Sequence, residues 1–427
     1  MDDESLRVAV SIRAIFGGLI LIGIAAACND PTGTLSSLQI DDASGSVAWS
    51  DISVGEFSAC GLSSAGRAYC WGFDESVPCD TSGCPHYSVP TAVPRAPDFV
   101  AIATGGFASC GLTANGQGYC WGRVFNSSLG DGITTQSPTP VKIQVLGQLT
   151  QVSAGYSRIC ALTAAGVAYC WGDNGTAIGA GPGIRGSRVP LAVTSPVPFS
   201  SISVGVTQIC ALSALKDAYC WGSGYGSLGI GVRDTSCALS PSCTEAFTPE
   251  LVAGGLKWSD ISAGNGVTCA VTVDALGYCW GDVPISGDPY GPSGLLGSGQ
   301  LAGSKAPVAV SGDHRFKMIR AGTRQVCGIT TAGAALCWGV NVSGQLGIGI
   351  TDAGAYNIGT QVGKYASPQV VVGKLQFSRI AEGDVSCGIS TSGNAYCWGG
   401  NGGGLLGGGD DTFRSVSIPS RVVAPRN

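Results

Sequence analysis

Gln151-Val152-Ser153-Ala154-Gly155-Tyr156-Ser157-Arg158-Ile159-Cys160-Ala161-Leu162-Thr163-Ala164-Ala165-Gly166-Val167-Ala168-Tyr169-Cys170-Trp171-Gly172 encodes the structural unit of this chain. Cys160–Thr163 and Val167–Trp171 are short apolar runs bounded by turn residues, which reads as a hairpin. The cysteines are symmetric about Ala165, leaving a three-residue loop that calls for a left-handed residue at Gly166. Counted outward from that turn, the two cysteines fall opposite one another at a non-hydrogen-bonded position. Side chains approach closest there, as a cross-strand disulfide requires. Strand parity puts Cys160, Leu162, Ala168 and Cys170 on one face and Tyr169 and Trp171 on the other. Both faces are apolar, so the sheet is expected to be sandwiched between two neighbours.

The neighbours are copies of itself. Cysteine, nine residues, Cys-Trp-Gly occurs seven times: Cys60 with Cys70, Cys110 with Cys120, Cys160 with Cys170, Cys210 with Cys220, Cys269 with Cys279, Cys327 with Cys337 and Cys387 with Cys397. A period of 50 to 60 residues belongs to a solenoid or propeller. It also resolves a problem of size, because 427 residues exceed what a single core of ~250–300 residues can serve. The expected fold is all-β, a seven-bladed propeller over residues 47–427 with an intra-blade disulfide in each blade. Pro-Val segments such as Pro140-Val141 and Pro368–Val371 supply a fourth strand. None precedes the first pair and one, Ile418–Val423, follows the last, so the C-terminal strand is expected to complete the first blade and close the ring. Gly occupies the left-handed turn position in five units; Lys216 and Ala275 replace it in two, where strained or differently shaped turns are expected.

Four more cysteines form two close pairs, Cys79 with Cys84 and Cys237 with Cys243, leaving only Cys28. So many paired thiols imply an oxidising compartment. Zinc competes for paired cysteines, but the chain has two histidines, His86 and His314, and no C-x-x-C spacing, so no metal and no cofactor are expected. Arg7 and Arg13 precede an apolar run, Ala14–Ala27, of signal-peptide rather than membrane-span length. Ile24-Ala25-Ala26-Ala27-Cys28 resembles a bacterial lipobox, with Ala25 where Leu is usual. Residues 1–27 then read as a signal peptide, Cys28 as the lipidated residue and 28–46 as a tether. Ordinary cleavage after Ala27 and an uncleaved anchor remain alternatives. A net charge of −5 without any basic run argues against nucleic acid.

The units resemble the regulator of chromosome condensation repeat family through Ile202-Ser203-Val204-Gly205, Cys160-Ala161-Leu162, Tyr-Cys-Trp-Gly and Asn341–Gly349. The first unit departs by lacking the Gly-Gln-Leu-Gly segment, and the seventh is one residue short between Gly383 and Cys387. The resemblance implies the propeller; family roles include nucleotide exchange, light sensing and protein-binding scaffolds, so it does not select a function. Alternating strand direction places the loop before each first cysteine and the long loop after each Trp-Gly on one face, with the cysteine turns on the other. The candidate binding residues on the long-loop face are Glu56, Phe57, Phe107, Tyr156, Arg158, Gln208, Arg324, Gln325 and Asp384. Phe57 and Phe107 could instead fill the mouth of the ring as core. The reading is a monomeric, lipid-tethered extracytoplasmic scaffold for a protein or glycan, not an enzyme. A carbohydrate hydrolase using Glu56 and Asp384 is the alternative. Guanine nucleotide exchange by family analogy ranks lower, because a cytosolic partner would meet reduced thiols.

Overall fold

The computed structural model describes residues 38–43, 47–74, 76, 85–124, 127, 129–173, 175, 177–224, 226–231, 244–282, 293–352, 363–410 and 412–426. They form seven four-stranded antiparallel sheets, each built from four strands consecutive in sequence. The third is typical: Leu149–Ala154 innermost, the hairpin Arg158–Thr163 and Ala168–Asp173, and Gly186–Ala192 outermost. The described residues include a 3-10 turn, Gly402–Gly404, and among them no helix is long and apolar enough to cross a membrane.

The seven repeat pairs are bonded as their spacing implies. Cys60 is joined to Cys70, Cys110 to Cys120, Cys160 to Cys170 and Cys210 to Cys220. Cys269 is joined to Cys279, Cys327 to Cys337 and Cys387 to Cys397. In every pair the partners face each other across the hairpin, with Cα–Cα distances of 4.0–4.1 Å. The remaining cysteines, Cys28, Cys79, Cys84, Cys237 and Cys243, lie outside the described residues, and with them the expected lipidation at Cys28 and the two expected loop pairings. The three-residue turn is uniform. Gly166 N donates to Thr163 O, and Lys216 and Ala275 make the same bond to Ser213 and Thr272. Both non-glycine residues keep the left-handed conformation, each with φ of 66°, so these two turns are strained rather than reshaped.

The two faces meet as strand parity requires. Cys60, Leu62 and Ala68 of the first blade pack on Phe99, Ile102 and Trp121 of the second. Cys387, Ile389 and Cys397 of the seventh pack on Trp49 and Trp71 of the first. The tryptophans of Cys-Trp-Gly are buried throughout; burying ~150–250 Å² each at ~25 cal/mol/Å² corresponds to roughly 5 kcal/mol per ring. One inter-blade hydrogen bond recurs along the ring: a residue at, or two before, the start of an inner strand donates to the turn of the preceding blade. Phe99 N–Gly66 O is 2.8 Å, Phe199 N–Gly166 O 2.8 Å, Trp258 N–Lys216 O 2.9 Å and, across the closure, Trp49 N–Gly393 O 2.8 Å.

Closure differs from the sequence expectation. The C-terminal strand, Val416–Arg421, completes the seventh blade, not the first. The first blade owns its fourth strand, His86–Ala92, which carries Val89-Pro90. The outer strand follows each cysteine pair instead of preceding it, so both end blades are whole. The seam is held by the same contacts as the others, by Trp71 Nε1 donating to Leu405 O at 2.9 Å, and by Arg426, whose N–H donates to Pro90 O and whose carbonyl accepts from Ala92 N.

Candidate binding face at the mouth of the ring

The loops before the first cysteines converge on the axis through one residue type. Gly55, Gly105, Gly155, Gly205, Gly264, Gly322 and Gly383 form a ring. A Cβ on any of them would lie 1.9–2.9 Å from the carbonyl oxygen of the next. That is the physical reason for glycine in Ile-Ser-x-Gly: seven loops must pass the axis at backbone contact. The serine joins inner strands, Ser53 Oγ accepting from Thr104 N at 2.8 Å, Ser153 from Val204 N at 3.0 Å and Ser203 from Ala263 N at 2.9 Å. Above the glycines lies a shallow basin of about 70 Å³. Below them the inner strands line a channel of about 350 Å³, whose charges include the ion pairs Arg379–Asp51 at 3.2 Å and Arg320–Asp260 at 2.6 Å.

The nine candidate residues divide. Phe57, Phe107 and Tyr156 form an arc over three blades, with ring centroids 5.2 Å and 5.0 Å apart. They brace one another and remain half-exposed, so they are neither core nor isolated. Gly106 makes room for the Tyr156 ring, which a Cβ there would meet at 2.8 Å. The guanidinium of Arg123 stands 5.7 Å from the Phe107 centroid, a residue the sequence reading missed because it lies beyond the Trp-Gly of its unit.

Arg158, Gln208 and Gln325 are fully buried. They occupy one repeat position and reach across the seam to the next blade's loop. Gln208 Nε2 donates to Gly264 O at 3.1 Å and Val267 O at 2.9 Å, and Gln325 Nε2 to Gly383 O at 3.1 Å. Arg158 donates to Ala177 O and Val206 O, each at 3.2 Å. Its Nε has no partner, and burial lowers its pKa to about 9. Ala108, Val267 and Val385 hold the same position in other blades, the sequence signal that this site faces inward. Replacing Arg158 with Gln, the residue of two sister blades, is expected to change the urea midpoint little, whereas Arg158→Ala leaves a cavity and unpaired carbonyls and costs about 2–4 kcal/mol. Equal losses for both variants would count against the inter-blade role.

Glu56 and Asp384 stand at the closing seam, where Asp384 N donates to Gly55 O at 3.3 Å. Burial, then the charge of Asp384, pushes the Glu56 carboxyl up to about 7. Asp384, although an exposed residue, is also raised by desolvation of its carboxyl, opposed by Thr323 and by Arg324, which is exposed as well. Elsewhere, burial raises Asp282 to about 6 against its backbone hydrogen bonds. Burial likewise holds Glu382 well above the carboxylate range despite Ser386 and Gln325. Raised carboxyl pKa values mean that the folded state favours the protonated form. The stability these groups confer is full at low pH and is lost as pH rises from about 4.5 to about 7 through the Glu56 value. Glu56→Gln is expected to flatten that decline in a pH series of urea midpoints; an unchanged slope would remove Glu56 as a cause.

One repeat matches a known family directly. Residues 149–176 fit the model of the regulator of chromosome condensation (RCC1) repeat. The match covers the third blade, and the other six blades share its strand order and cross-strand disulfide. The chain is 28% identical over 200 residues to the human E3 ubiquitin-protein ligase HERC2, covering 46% of this chain and 4% of that protein. It is 30% identical over 122 residues to the ultraviolet-B receptor UVR8 of Arabidopsis thaliana, covering 28% of this chain and 24% of that one. The chain thus spans only a small part of these curated relatives. In fold it is similar to Prp20p of Saccharomyces cerevisiae, with a TM-score of 0.68 and 18% identity over 89% of this chain and 87% of that chain. It is also similar in fold to human WBSCR16, with a TM-score of 0.65 and 17% identity over 84% and 94%.

Proposed function

We propose that this chain is an envelope-tethered scaffold that docks a protein on the mouth face, with Phe57, Phe107 and Tyr156 as anchors and Glu56, Arg324 and Asp384 as a charged rim. The observation that carries this is the half-buried aromatic arc beside Arg123, whose Tyr156 lines, with Glu56, a basin of about 70 Å³. Small-molecule sites enclose ~300–1,000 Å³, whereas protein interfaces use aromatic and arginine anchors on shallow surfaces. RCC1-type propellers of similar fold offer precedent: the Prp20p structure was described with binding to Gsp1p and histones, and the yeast RCC1 structure was solved with Kap60 bound.

The described N-terminal residues dock on the ring. Ile40 N donates to Gly373 O at 3.0 Å. Asp42 Oδ1 accepts from Ser390 Oγ at 2.9 Å, Asn394 Nδ2 at 2.7 Å and Tyr396 OH at 2.9 Å. Ser390 and Asn394 flank the cysteine turn of the seventh blade, so the chain arrives on the face opposite the mouth. The hydrolase reading retains one argument, the raised Glu56 beside Asp384.

The test is capture from envelope and secreted fractions of the source cells with the oxidised chain and with a bait carrying Phe57→Ala, Phe107→Ala and Tyr156→Ala together. Arg158 stays unchanged in both because it is buried. A ligand held by the first bait and lost by the second is expected; equal retention would contradict the assignment of this face.

A further inference from the structure

Six blade seams are filled alike. A Leu-Gly or Ile-Gly pair from the loop after Trp-Gly lies on the tryptophan of the next blade: Gly130 on Trp171, Gly179 on Trp221, Gly229 on Trp280, Gly297 on Trp338, Gly347 on Trp398 and Gly407 on Trp71. A Cβ on any of these glycines would come within 3.1 Å of that ring. The first unit has no such pair anywhere between Phe73 and Tyr87. Among the described residues, the seam it should fill, between the first and second blades, holds a cleft of about 160 Å³ lined by Cys60, Cys70, Trp71, Ser109 and Trp121. Trp121 is 6% exposed where its six counterparts are 0–1%. Cys70 keeps partial exposure, while the other thirteen cysteines of the seven blade disulfides are 0% exposed.

We propose that Cys70 Sγ is a thiol–disulfide exchange site, which makes the Cys60–Cys70 bond the first of the blade disulfides to open to a small thiol. A thiolate attacks Cys70 Sγ, the bond to Cys60 breaks, and its electron pair leaves on Cys60 Sγ, which takes a proton from water. The product is a mixed disulfide on Cys70. A second thiolate attacks its outer sulfur, leaving Cys70 as a thiol and releasing the small-molecule disulfide. Ser109 Oγ, 3.4 Å from Cys60 Sγ, is placed to donate to the departing thiolate. Asp74 also lines the cleft, with Ser76 Oγ at 2.6 Å and Tyr87 OH at 3.3 Å from its carboxylate. The entering thiol is therefore neutral or cationic in preference to anionic.

The experiment exposes the oxidised chain to graded 2-mercaptoethanol below its unfolding threshold, quenches with one isotopic maleimide, then reduces fully and labels with a second. Mass spectrometry reads each blade pair. Cys60 and Cys70 are expected to open about tenfold sooner than the other six pairs. Thr91→Phe, which fills the cleft beside Cys70, should bring their rate down to that of the rest. Another blade opening first, or all seven opening together, would overturn the proposal. Rapid opening that Thr91→Phe leaves unchanged would overturn the cleft as the route.

Discussion

Gly55→Ala is expected to abolish the folded ring or to lower its stability by about 3 kcal/mol or more. The new Cβ would sit 1.9 Å from Gly105 O, a backbone atom that cannot rotate away as a side chain would. Gly155→Ala, with Gly205 O at 2.2 Å, should behave alike. Neither glycine has a positive φ, so the effect is one of contact and not of backbone conformation. Overpacking a well-filled site costs ~1–3 kcal/mol even where side chains can yield, and here the obstacle is the neighbouring blade. Gly408→Ala is the control, since nothing lies within 4 Å of its Cβ position. Urea midpoints followed by tryptophan fluorescence should separate the axial pair from the control. Three similar midpoints would show that the blades do not meet at backbone contact.

The second large effect concerns the mouth. Phe107 stands between Phe57 and Tyr156 and beneath Arg123. Truncating the central aromatic of such a cluster should cost at least ~2 kcal/mol of binding, about 30-fold in Kd. Folding should be largely spared, because the ring is half-exposed. Leu215→Ala, at a cysteine turn and 73% exposed, should leave affinity unchanged. Titration calorimetry with the captured ligand reads both; a Phe107→Ala variant that binds as the wild type does would remove the arc from the interface.

The hairpins, their disulfides and the two apolar faces were legible because the spacing from cysteine to Cys-Trp-Gly fixes parity, and parity fixes faces. The outer strand was misassigned for an equally physical reason. A segment such as Pro140–Ile143 lies between two cysteine pairs, and its alternation does not say which neighbour it joins. Only hydrogen-bond register decides that, as in Tyr119 opposite Lys142. The axial glycines were visible as a motif but not as a ring, since their cause lies in the adjacent blade. Arg158, Gln208 and Gln325 look like surface residues in isolation; their burial follows from carbonyls 48 to 59 residues away. Glu56 and Asp384 did prove to be neighbours, because equivalent loops of the first and last units must meet when a ring closes.

Site-specific photo-crosslinking decides whether the mouth face is the docking surface. A benzophenone amino acid replaces Phe107 on the mouth face in one protein and Leu215 on the cysteine-turn face in another, and both are irradiated in the intact envelope. Crosslinked partner is expected at position 107 and none at 215. Crosslinks at 215, or equal yields at the two positions, would contradict docking at the mouth.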